Sequence, residues 1–308
     1  MARNGLLQID GKWPNLALMH VGGWLRERGE SVDRITPLEQ YGCDVVYAAK
    51  VFAGPLPCYV RGDAVRGGTG WEDWKDLPNL SEEEEHAYPA YDMFDCDDIA
   101  MGFLTRGCIR HCPFCVVWPK EGKIHHHSHL SEWWRGQSHI RLLDPNLTAS
   151  PDILGYLGEL EASRAVVDFS QGIDARLVTA EMVAAIRRVR RYKQLHTAWD
   201  RMEFEEPVLR GMRLLAAGMP KGSVMAYVLI GYETTPEEDL YRVKKLSEIG
   251  IDPFVMAYDK TDRYQRAFQR WCNHKAIYKT VAWDDYTSGT WPPTIPSNDK
   301  VVAWRVSL

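Results

Sequence analysis

The sequence predicts an α/β fold: a partial (β/α)6 barrel of the TIM type preceded by a small Rossmann-like domain. Two observations carry this expectation. From Ile99 onward, short apolar runs alternate regularly with helical patterns, giving six strand–helix units. Before them the chain reads strand, helix, strand, strand, and parallel strands joined by helices imply a sheet covered on both faces. The expected divisions are an N-terminal domain over 1–95, a barrel over 96–280 and a C-terminal extension over 281–308.

Each element follows from local chemistry. Leu6–Ile9 is a short apolar strand. Asn15 caps a helix that carries Leu18, Val21 and Leu25 on one face and ends near Gly29. Val32–Ile35 and Asp44–Phe52 follow as strands. Residues 54–95 read as irregular, punctuated by Pro55, Pro57, Pro78 and Pro89 and by Gly67, Gly68 and Gly70. Glu82–Glu85 is an acidic linker or an exposed helix start. Ile99–Thr105 opens the barrel, followed by Ile140–Leu143, Val166–Phe169, Leu195–Ala198, Val224–Ile230 and Phe254–Tyr258. Helical patterns cover Thr179–Arg191 and Pro236–Ile249. In the second of these Thr235, Pro236 and Glu238 read as N-cap, first helical residue and capping-box partner.

Composition bounds the function. A length of 308 residues suits about two domains, and 45% hydrophobic content is ample for a core. A net charge of −5 argues against general nucleic-acid binding but leaves room for a local basic face. The start Met1-Ala-Arg-Asn-Gly carries no apolar targeting segment. Val224–Ile230, the longest nearly apolar stretch, is too short to span a bilayer. The expectation is a soluble protein of a reducing compartment with no membrane partner, in the cytoplasm (a host's, if phage-encoded). Seven cysteines in such a chain argue against disulfides. The 12 tryptophans serve either base stacking or packing.

The most specific chemistry lies at Cys108, Cys112 and Cys115, spaced C-x-x-x-C-x-x-C. Three thiolates within eight residues can hold three irons of a 4Fe–4S cluster and leave the fourth open. A structural zinc site would want a fourth ligand at finger-like spacing, and His111 lies too close to Cys112 to complete a tetrahedron easily. Cys43, Cys58, Cys96 and Cys272 form no second triad and read as buried thiols. With Phe114 just before the third cysteine, the run resembles the radical S-adenosylmethionine (radical SAM) enzymes. That resemblance implies that SAM chelates the open iron through its amino and carboxylate groups. One electron, from a donor such as a flavodoxin or ferredoxin, would then cleave SAM to methionine and a 5′-deoxyadenosyl radical that abstracts a substrate hydrogen.

In α/β barrels the chemistry sits at the C-terminal strand ends. Asp144 stands where many radical SAM enzymes carry a Gly-Gly-Glu motif for the SAM amino group; either it plays that part, or Asn146 faces the substrate, or the Asp-Pro pair is a turn. After the third strand, the resemblance makes Arg176 the candidate for the SAM carboxylate, supported by Gln171 or Asp174. Asp200 stands where related enzymes place an acidic ribose contact. Arg176 and Asp200 also read as surface ion-pair members. Tyr227–Asp239 resembles the Gly…Glu-Thr segment of cobalamin-type radical SAM proteins. There Gly231 permits close backbone approach, Glu233 is the functional candidate, and Tyr258 and Asp259 would close the adenine pocket.

The N-terminal arrangement resembles the cobalamin-binding domain of that group, including the helix end Leu25–Gly29. Its D-x-H-x-x-G motif is broken, because Leu18 occupies the aspartate position ahead of His20 and Gly23. No cobalamin is expected, and His20 reads as a packing or surface histidine. His125 and His129 would share a helical face at metal-binding spacing, with His126 and His127 between them. No carboxylate or cysteine stands ready to join them, so a substrate-facing or solvent loop is expected.

Two basic stretches remain. Arg187, Arg188, Arg190, Arg191 and Lys193 close a helix, where positive charge favours the dipole. Arg263, Arg266, Arg270, Lys275 and Lys279 decorate a later helix, with Tyr264 and Trp271 between them. Of these, Arg263, Arg266, Arg270 and Trp271 are the candidates for gripping and stacking nucleic acid; a solvated face is the alternative. The overall pattern resembles compact radical SAM proteins from phages and mobile elements. Some of these act in DNA-base hypermodification, including radical rearrangement (isomerisation) of an amino-acid-modified thymidine. Modification of a peptide or small metabolite, and a non-catalytic iron–sulfur sensor, stay open as alternatives.

Overall fold

The computed structural model describes residues 2–287, so the expected extension over 281–308 lies outside the described residues from 288 onward. The chain is mixed α/β with several parallel sheets. It gathers into two compact units. One holds the described residues up to Asp144 together with Ser163–Val167; the other holds Pro145–Ala162 and the described residues from Asp168 on. Asp95 falls inside the first unit. Among the described residues, no helix is long and apolar enough to cross a membrane.

The first unit begins with β1 (Arg3–Gln8), α1 (Leu16–Glu27), β2 (Ser31–Arg34), β3 (Val45–Ala49) and β4 (Val65–Gly67), in the parallel sheet order β2-β1-β3-β4. Helix α1 starts where expected: Asn15 Oδ1 accepts the N–H of Leu18 at 3.1 Å. Its face of Leu16, Leu18, Met19, Val21 and Leu25 is buried. The other side of the sheet builds its core from Leu7, Ile9, Ile35, Val46, Ala48 and Trp71. The proline-rich segment is less irregular than expected. It contains β4 and a short helix α2 (Glu82–His86) with a capping box between Ser81 and Glu84, so Glu82–Glu85 is a helix start.

The same unit continues with β5 (Ile99–Gly102), β6 (Thr105–Arg106), α3 (Val117–Glu121), β7 (His125–His126), α4 (Leu130–Trp133), β8 (His139–Leu142) and the start of β9 (Val166–Phe169). Strands β5 and β8 are parallel in a sheet of order β5-β8-β9, and the Val166 N–H donates to Ser138 O at 2.8 Å. The single strand expected over Ile99–Thr105 breaks at Phe103. The Asp144 carboxylate takes the next two N–H groups, and β6 turns away to pair antiparallel with β7. That pairing also removes the helical option for the histidines, and His125 and His126 are exposed. His125 lies in a strand and His129 is the N-cap of α4, so they share no helical face.

The second unit comprises α5 (Ile153–Ser163, up to Ala162), α6 (Ala180–Arg188), β10 (Leu195–Ala198), α7 (Glu205–Gly218), β11 (Val224–Ile230), α8 (Pro236–Glu248), β12 (Asp252–Ala257), α9 (Arg263–Asn273), α10 (Lys275–Thr280) and α11 (Trp283–Thr287). Its parallel sheet runs β10-β11-β12, with the apolar β11 in the centre and Val228 and Ile230 fully buried. The capping box of α8 forms as read. Thr235 Oγ1 accepts the Glu238 N–H at 3.3 Å, and the Thr235 N–H donates to the Glu238 carboxylate at 2.8 Å.

Candidate functional site

In the first unit, Cys108, Cys112 and Cys115 lie on the loop between β6 and α3, all three half-buried, with Phe114 half-buried beside them. Backbone chemistry shapes this loop. Gly107 adopts φ +77°, and a Cβ there would strike the carbonyls of Lys123 and Gly122, so only glycine fits. The Cys108 N–H donates to Gly122 O at 3.1 Å, and the Cys115 N–H donates to Cys112 O at 3.0 Å. The Arg110 N–H donates to Cys108 Sγ at 3.3 Å. Among the described residues, no three His, Cys, Asp or Glu side chains form a ready metal-holding group.

The donor set nonetheless suits an iron–sulfur cluster: three thiols in eight residues, on a loop whose root is tied and whose first sulfur already accepts an N–H. Hydrogen bonds to sulfur are among the features that tune such clusters. Cys96 and Cys272 are different. Burial pushes their thiols up to about 11 and about 12, which makes them inert packing groups.

Asp144 lies two residues past the end of β8 and is buried. Its carboxylate accepts the N–H groups of Leu104 (3.2 Å) and Thr105 (2.6 Å) and the Thr105 hydroxyl (2.8 Å). Desolvation pushes its acid up to about 6, against the pull of those three donors. The carboxylate therefore holds the chain three residues ahead of Cys108.

His20 is buried in α1, with Nδ1 2.7 Å from Ala87 O, and desolvation lowers it to about 4. It packs α1 against the segment that follows α2. His127 is lowered to about 3, chiefly by burial and then by the Arg106 charge.

In the second unit a relay of hydrogen bonds leads to Arg176. Thr148 Oγ1 donates to Asn146 Oδ1 (3.0 Å) and accepts the Asp174 N–H (3.0 Å). The Asp174 carboxylate then grips Arg176 through Nε (2.6 Å) and Nη2 (2.9 Å), a two-point pairing that fixes the guanidinium plane. Arg176 lies 4.9 Å from the Phe204 ring centre, and Arg201 lies 6.0 Å from the same ring. Gln171, by contrast, is exposed. Asp200 is half-buried after β10 and accepts the Leu229 N–H at 3.1 Å. Burial raises its acid, opposed by that N–H and by the charges of Arg242 and Arg176.

Gly231 sits at φ +76°, pressed against the Gln265 amide, while Glu233 is exposed and lies 3.3 Å from Arg201 Nη2. Tyr258 is 55% exposed, with its ring 5.0 Å from that of Tyr232.

Beneath these strand ends lies a network that no sequence motif announced. Arg242, fully buried, donates to Asp239 Oδ1 (2.6 Å), Trp199 O (2.8 Å) and Leu229 O (2.9 Å). Asp239 also accepts the hydroxyls of Thr234 (2.8 Å) and Tyr264 (3.1 Å). One buried ion pair thus fixes the exits of β10 and β11 and the 231–234 turn. The only sequence signal was the i, i+3 spacing of two charges on a helix.

On α9, Arg263, Arg266 and Arg270 are exposed along one ridge. Trp271 is not. It is 2% exposed, its Nε1–H donates to Val281 O at 2.9 Å, and its ring packs on Phe268, Tyr278 and Trp283. The helix turns this residue inward, so in this structure its ring is not presented for base stacking.

The chain matches no protein-family model, and a search of curated proteins finds no similar sequence.

Proposed function

We propose that this chain is a radical SAM enzyme, built as a partial (β/α)6 barrel preceded by a Rossmann-like domain. The observation that carries the reading is the cysteine loop. Three half-buried thiols at C-x-x-x-C-x-x-C spacing follow β6, which pairs antiparallel with β7, and Cys108 Sγ accepts a backbone N–H. Cys108, Cys112 and Cys115 would hold the cluster, and Phe114 would shield it. When bound and reduced, the cluster with SAM supplies a carbon radical able to take a hydrogen atom from substrate.

Within the second unit, Arg176 is oriented by Asp174 as a carboxylate receptor would be, and Asp200 is suited to accept ribose hydroxyls. At Gly231 the close approach is made by the Gln265 amide, so the missing side chain serves that packing. Asp144 is assigned to holding the strand that enters the loop, because both its oxygens are occupied there. The single-electron donor would be a flavodoxin- or ferredoxin-like protein.

For the substrate we propose a nucleobase carried on DNA, an amino-acid-modified thymidine, with its rearranged isomer as product. The exposed Arg263–Arg266–Arg270 ridge supports a polyanionic substrate. The experiment is an anaerobic reconstitution with iron and sulfide, followed by dithionite and SAM. Formation of 5′-deoxyadenosine, stimulated by modified DNA over peptide or free amino acid, supports the full reading. Stimulation by peptide alone removes the DNA substrate and leaves the radical chemistry. Absence of any 5′-deoxyadenosine removes both.

A further inference from the structure

We infer that Glu121 is a positioning residue for the cysteine loop, closing its two ends so that the three thiols can act on one cluster. This rests on the radical SAM reading above.

The carboxylate of Glu121 is 12% exposed, and its two oxygens reach back across the loop to consecutive residues. Oε1 accepts from Arg106 Nη2 at 3.1 Å, and Oε2 accepts the Gly107 N–H at 3.1 Å. The next N–H, that of Cys108, donates to Gly122 O at 3.1 Å. Arg106 is itself held on its other side by Glu85 Oε1 at 2.7 Å. Strands β6 and β7 pair Arg106 with His125 just outside this closure. Residues 106–108 are therefore fastened to residues 121–125 by side chain, backbone and strand pairing together.

The chemistry explains why an acid belongs there. Gly107 turns with positive φ, which leaves its N–H outside any strand ladder and in need of an acceptor. A neutral acceptor would satisfy that N–H but would leave the largely buried guanidinium of Arg106, 17% exposed, with one carboxylate fewer. Glu121 answers both needs, and it is the last residue of α3, the helix that directly follows the cysteines. A fixed supporting group of this kind holds ligands in the geometry a metal centre demands.

The test compares full-length wild type, Glu121→Ala and Glu121→Gln after anaerobic reconstitution. Iron and sulfide per chain, the rate at which a chelator strips the iron, and the melting temperature of the iron-free protein are measured. Supporting groups around metal centres typically matter 10–100-fold. Glu121→Ala should therefore lose iron to chelator roughly tenfold faster, with a lowered iron-free melting temperature but a chain still folded at the temperature of the assay. Glu121→Gln, which keeps an acceptor for Gly107, should recover part of that loss.

If Glu121→Ala unfolds the iron-free protein, Glu121→Gln decides: faster stripping supports the inference, and wild-type stripping overturns it. Wild-type iron content and stripping rate in Glu121→Ala also overturn it, while the cluster reading stands. Wild-type protein that takes up no iron–sulfur cluster overturns the cluster reading, and this inference falls with it.

Discussion

The carboxylate of Asp144 accepts both the backbone N–H and the hydroxyl of Thr105, at 2.6 and 2.8 Å, from a fully interior position. One acidic side chain two residues past the end of β8 thereby ends β5 early and sets where the cysteine loop departs. The sequence leaves Asp144 as a cofactor contact or as part of an Asp-Pro turn; the geometry shows its carboxylate holding Leu104 and Thr105.

That burial has a pH signature. The Asp144 acid is pushed from 3.8 up to about 6 in the folded chain. The folded state thus holds this proton more tightly than the unfolded state. The resulting stabilisation is full below about pH 4 and is lost as the pH rises through 6. Unfolding of wild type and Asp144→Asn by urea should show the wild-type advantage shrinking by about 1 kcal/mol between pH 5 and pH 8. Parallel pH curves for the two proteins would contradict the shift.

The Asp239–Arg242 pair should behave as one unit. Removing either partner leaves a buried charge uncompensated, so Asp239→Ala and Arg242→Ala should each cost about 3–5 kcal/mol. The double variant should cost well below the sum, because neither charge is then stranded. Denaturant unfolding of all four proteins measures the coupling, and simple additivity would show the pair to be energetically separate.

On α9 the ridge and the buried ring should part company. Arg266→Ala with Arg270→Ala should weaken DNA binding and flatten the log–log salt dependence by roughly one unit per charge, leaving the melting temperature unchanged. Trp271→Phe should do the opposite. It loses the 2.9 Å bond to Val281 O and some core packing, destabilising the fold by about 1–3 kcal/mol without touching DNA affinity. Weaker DNA binding in the folded Trp271→Phe protein would put that ring back at the interface.

Much of this was legible in the chain, for physical reasons. Asn15 and Thr235 announce helix starts because capping needs a short oxygen-bearing side chain at one position. The later strands, Val166–Phe169, Leu195–Ala198 and Val224–Ile230, match to the residue: the first two alternate buried and half-buried positions, and the central third is a continuous apolar run. What the pattern missed depends on partners distant in sequence. The break at Phe103 needs Asp144, some forty residues on. The inward turn of Trp271 is set by Val281 and the aromatic rings around it. The strand at His125–His126 exists only because β6 offers it an edge. Alternating charge and aromatic character on α9 could not say which residues face the core, since tryptophan suits either surface.

On the proposed reading, Cys108, Cys112 and Cys115 hold one 4Fe–4S cluster whose fourth iron is open to SAM. Electron paramagnetic resonance of the reconstituted, dithionite-reduced protein tests it most directly, with and without SAM, in wild type and in each cysteine-to-alanine variant. The expected result is a reduced-cluster signal in wild type that changes shape when SAM is added, together with its loss in all three variants. A signal indifferent to SAM, or one that survives at full intensity in any of the variants, would contradict the claim.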